Sequence, residues 1–140
     1  MTAGVGSTNT GGEFARLAGV HVLIVEDNAH AAHVLAAVLE YCGAWATLAS
    51  PDRALTFLRS VTPHVLVIGT SAADREAPAL LTTVRALAPG RGGGVPALAL
   101  SADRNESARD AALAAGFQAC LIKPVDVREF SRTIGRLVRR

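Results

Sequence analysis

Five short apolar runs, each followed by a stretch of helical period, constrain this chain more than any other feature of its sequence. Val20–Val25 (VHVLIV) and His64–Gly69 (HVLVIG) are continuous rather than alternating, the pattern of strands covered on both faces. Ala44–Ala49, Val95–Leu100 and Phe117–Ile122 are weaker runs of the same kind. Between the first two, Asn28–Tyr41 carries Val34, Leu35, Val38 and Leu39 at helical spacing, with Gly43 as the stop signal. Ser50-Pro51 supplies an N-cap and a first-turn proline ahead of Ala54, Leu55, Leu58 and Val61. Leu80, Leu81, Val84 and Leu87 mark a third helix. Asp103 with Glu106 forms a capping-box pattern opening an alanine-rich helix that stops at Gly116, and Asp126 with Glu129 opens a last helix to the C-terminus. Strands alternating with helices predict an α/β domain: a doubly wound, five-stranded parallel sheet with five helices on its two faces.

Composition narrows the class. A chain of 140 residues, half of them hydrophobic but only 4% aromatic, suits one domain with an Ala, Val, Leu and Ile core. A net charge of +2 gives no argument for nucleic acid. No uncharged apolar stretch reaches membrane-spanning length, and no secretory signal opens the chain, so a cytoplasmic protein is expected. Cys42 and Cys120 match no metal or redox spacing and are expected as buried thiols. MTAGVGSTNTGG has nothing to bury. The expected division is a flexible tail over 1–18 and the domain over 19–140.

In such sheets the functional site lies at the carboxyl ends of the strands. That rule selects Glu26 and Asp27, then Gly69 to Ser71, then Ser101, then Lys123 and Pro124. Adjacent carboxylates on a loop can hold a hard cation such as Mg2+, or simply cap a helix and favour its dipole. Lys123 supplies a mobile positive charge for those acids or for a phosphoryl group. Ser101 offers a hydroxyl to a phosphoryl oxygen or to its own loop. Other features carry less. PGRGGG (Pro89–Gly94) precedes a strand rather than a helix, the wrong end for a phosphate loop. His30 and His33 have metal-sharing spacing but no third ligand.

VLIVEDN, the strand ending at Gly69, VPALALSA (Val95–Ala102) and GFQACLIKPVD (Gly116–Asp126) resemble the receiver domain of bacterial two-component response regulators. The resemblance covers Gly19 to about Val138 and implies a flavodoxin-like receiver fold. In that family an aspartate ending the third strand accepts a phosphoryl group from a histidine kinase. Mg2+ is held by that aspartate, the acidic pair and a carbonyl two residues on, which assigns Glu26, Asp27 and Ser71 here. The resemblance further assigns Ser101 and Lys123 to the phosphoryl oxygens and implies a cis bond between Lys123 and Pro124.

Two positions depart from the pattern. Gly69 stands where the phosphoacceptor belongs, and Cys120 where an aromatic switch residue belongs. The expectation is a stand-alone, non-enzymatic pseudo-receiver with no phosphoacceptor, which requires no cofactor and binds Mg2+ weakly. Its implied partners are a histidine kinase or a downstream regulator, met through the fourth helix, fifth strand and fifth helix, where a homodimer can also form. Two alternatives stay open: phosphate accepted at Asp74 or Asp27, or a small anion held by Lys123 and Ser101. Arg128, Arg132 and Arg136 are read either as a solvated face or as a docking face for an acidic partner. No helix-turn-helix remains for DNA.

Overall fold

The structure is a computed structural model and describes residues 13–70, 76–87 and 93–139. Ten elements follow in strict alternation: β1 (His21–Val25), α1 (Ala29–Tyr41), β2 (Trp45–Ala49), α2 (Pro51–Leu58), β3 (Val65–Thr70), α3 (Glu76–Arg85), β4 (Ala97–Ser101), α4 (Glu106–Ala115), β5 (Ala119–Ile122) and α5 (Val127–Val138). The strands form one parallel sheet in the order β2-β1-β3-β4-β5.

The continuous apolar runs are explained by two cores, one on each face of that sheet. Val22, Ile24, Val65, Val67, Leu98 and Leu100 point into the core shared with α1 and α5. Leu23, Val25, Leu66, Ile68, Ala97 and Ala99 point into the opposite one, with α2 and α3. β1 is buried at every residue, which is why no alternation appears in its sequence. α5 is the most strongly two-sided helix: Phe130, Ile134 and Leu137 are buried while Arg128 and Arg136 face out. A side chain such as Phe130, fully removed from water, contributes about 2–3 kcal/mol.

The structure moves several predicted boundaries. β4 begins at Ala97 rather than Val95, since Pro96 has no N–H for the ladder and contributes only its carbonyl, which accepts from Leu66 N. β5 begins at Ala119 rather than Phe117, which packs into the core from the loop. α2 stops at Leu58, leaving Val61 outside the helix and exposed. α4 is capped by Asn105, whose Oδ1 accepts from Ser107 N, instead of by Asp103. Asp103 Oδ1 is already taken by Asn105 N–H, so the cap falls two residues later.

The boundary of the domain also moves. Residues 13–18, expected in the tail, lie along α5 and α1, and Leu17 is only 2% exposed. Leu17 N donates to Cys42 O, Ala15 N to Ser131 Oγ, and Arg132 Nη1 to Glu13 O. Phe14 meets the Tyr41 ring edge-on at 5.2 Å and lies under the Arg128 guanidinium. Two apolar side chains, together with these hydrogen bonds, hold this segment on the domain. Residues 1–12 lie outside the described residues, as do 88–92 of the glycine-rich connector.

Candidate functional site

The loop after β1 begins with Glu26, whose backbone position next to a buried strand end turns its side chain inward. The carboxylate is 3% exposed and its Oε1 lies 2.8 Å from Lys123 Nζ, at the end of β5. Its Oε2 accepts the Asn28 N–H at 3.0 Å. Asn28 in turn caps α1 by accepting from Ala31 N, so the helix start and the ion pair share one short loop. Buried Oε1 makes no directional hydrogen bond, and its partner is the ammonium as a point charge. A groove of about 210 Å³, walled by Ala31, Val34, Pro124 and Val127, flanks the pair. Such walls keep bulk water from one side and strengthen the attraction.

Gly69, in β3 beside β1, explains where that carboxylate sits. A Cβ on Gly69 would fall 2.7 Å from Glu26 Cδ and 3.2 Å from Oε2, with Oε1 closer still. Glu26 therefore occupies the space that a side chain at position 69 would fill. Among the described residues the positive-φ glycines are Gly19, Gly43 and Gly116, and Gly69 is not one of them, so the missing side chain matters here for room rather than for backbone conformation.

The remaining strand-end residues are held differently. Lys123 N donates to Ser101 O at 2.8 Å, joining the ends of β4 and β5, and the Lys123–Pro124 peptide is cis. Ser101 is 7% exposed and its Oγ is turned to its own loop, accepting from Asp103 N at 3.1 Å and reaching Asp103 O at 3.4 Å. That loop bond is one of the two roles open to it from sequence. Asp27 is exposed and stands apart from the Glu26–Lys123 contact. Ser71 and Asp74 lie outside the described residues. Cys120 is buried in the core with α3, and burial pushes its thiol up. Cys42 is pushed up for the same reason, with the neighbouring Ser131 side chain acting the other way.

His30 and His33 are exposed on α1, and His33 Nδ1 is engaged with Ala29 O in its own helix. Among the described residues no group of three or more His, Cys, Asp and Glu could hold a metal ion. The arginines proposed for docking have intramolecular work: Arg128 lies over Phe14, Arg132 holds Glu13 O, and Arg136 donates to Thr133 Oγ1.

Two clusters escaped the sequence reading. Arg85 donates to Gly93 O and Val95 O through Nη1, and to Gly116 O and Gln118 Oε1 through Nη2. It thereby ties the loops before β4 and β5 together. His21 stacks on Trp45 at 4.9 Å, bonds Thr47 Oγ1 through Nε2, and donates its backbone N–H to His64 Nδ1. An arginine in the last turn of a helix looks like a simple complement to the helix dipole, and nothing local names its distant acceptors.

No protein-family model matches the chain. It is similar to a protein of Leptolyngbya boryana described as an uncharacterized 14.6 kDa protein in the sodA1 3' region, 35% identical over 119 residues that span 84% of this chain and 89% of that one. Among solved structures it is similar to a putative response regulator from Chloroflexus aurantiacus, with 27% identity, a TM-score of 0.76, and coverage of 86% of this chain and 98% of that one. It is also similar to the receiver domain of the sensor histidine kinase PA1611 from Pseudomonas aeruginosa, solved with a magnesium ion coordinated in its active site cleft. That likeness has 26% identity and a TM-score of 0.76, and covers 88% of this chain and 100% of that one.

Proposed function

The chain belongs to the family of the Leptolyngbya boryana protein and has the receiver fold of two-component signalling, and on that premise we propose that it signals by protein–protein contact without phosphorylation at position 69. The observation that carries the proposal is the Glu26 carboxylate, seated where an acceptor side chain would stand and paired to Lys123 at 2.8 Å. A standing ion pair supplies the lysine with the negative charge that a phosphoryl group would bring. Gly69 offers no nucleophile. The domain is then held in one state, and its output is set by which partner it meets.

The remaining features fit that reading. Cys120 is too small to swing as an aromatic ring would, and it is packed in the core. Mg2+ prefers several oxygen ligands, whereas Glu26 is committed to Lys123, so the domain requires no metal and binds one weakly. A small anion beside Lys123 would have to displace Glu26. The contact surface is assigned to α4, β5 and α5; α4 buries no residue fully and leaves Leu113 42% exposed. A histidine kinase or a downstream regulator is the expected class of partner. Among the described residues no helix is long and apolar enough to cross a membrane.

Intact-mass spectrometry after incubation with Mg2+ and acetyl phosphate tests the proposal. The natural protein is expected to keep its mass, while Gly69→Asp, which displaces Glu26, gains one phosphoryl group. A phosphoryl gain on the natural protein overturns the proposal, and mapping it to Asp27 or Asp74 would make the chain an atypical phosphoreceiver.

A further inference from the structure

We draw no further inference here: the strongest candidate, the exposed apolar edge of the sheet at β2 with Trp45 and Leu48, carries nothing because nothing in the structure shows what covers it.

Discussion

Gly69→Ala separates a glycine kept for room from one kept for conformation, and its effect should change sign with the residue at position 26. The three atoms nearest to a Cβ at position 69 all belong to the Glu26 side chain, the nearest being its carboxylate oxygen. A methyl group there forces Glu26 outward and breaks its contact with Lys123. Leaving a buried charge without its partner costs about 3–5 kcal/mol, but Lys123 is 28% exposed and Glu26 sits on a loop next to exposed Asp27. Both groups can therefore turn to water. The loss then approaches that of one charge-assisted contact, about 1.5–2 kcal/mol. With Glu26→Ala already in place, the three nearest obstructing atoms are gone and the backbone of Gly69 suits an L-residue. There Gly69→Ala should stabilise by about 0.5 kcal/mol, through the smaller entropy of the unfolded chain. Urea denaturation of the natural chain and the three variants at neutral pH measures the cycle, with a midpoint shift of roughly 1 M expected for Gly69→Ala alone. Effects that add within about 0.5 kcal/mol would refute the claim that Glu26 fills the place of the missing side chain.

Arg85→Ala should destabilise by about 2–3 kcal/mol, since it removes four hydrogen bonds donated by one guanidinium; Arg85→Lys should recover little, because an ammonium lacks the planar fork. Urea midpoints distinguish the two, and full rescue by lysine would refute the clamp. Leu17→Ala should cost about 2–4 kcal/mol as a core truncation, whereas a tail reaching residue 18 would give no change in thermal midpoint. The His21 imidazole is held below its ordinary range by burial and, secondarily, by His64. Below its ordinary pKa of about 6.5 the unfolded chain takes up the proton first, so stability should fall as pH falls from there toward the depressed folded value. His21→Gln should flatten that slope in a pH series of urea midpoints, and an unchanged slope would refute the assignment.

The strands and helices were legible because burial on two faces writes a continuous apolar run, and burial on one side of a helix writes a 3.6-residue period. The errors came where two local solutions compete. Asp103 and Asn105 can each cap a helix that contains Glu106, and only the bond from Asn105 N to Asp103 Oδ1 decides between them. Phe14 and Leu17 are too few to show a period, so their burial was hidden in what looked like a tail. Within the site, the acids, the serine and the lysine were found by their places at strand ends. Their directions were not, because the inward turn of Glu26 depends on a residue in another strand, and Ser101 had two partners within reach of one hydroxyl.

The pairing of Glu26 with Lys123 also decides what the rest of the site can respond to. The two charges cancel at 2.8 Å, leaving exposed Asp27 as the remaining carboxylate of the acidic pair. A cation binding there must either rely on that single carboxylate or draw Glu26 away from both Lys123 and the Asn28 N–H. An incoming anion meets the opposite obstacle, because its seat beside the ammonium is already taken by a carboxylate belonging to the chain. Cation binding and the ion pair are thus coupled with opposite sign, and by linkage whatever stabilises the pair weakens the cation. In the function proposed above, a domain so balanced has little differential affinity through which small ions could shift its population. On the proposed reading, change then comes from contacts large enough to act on whole faces, as expected of a domain read by its protein partners.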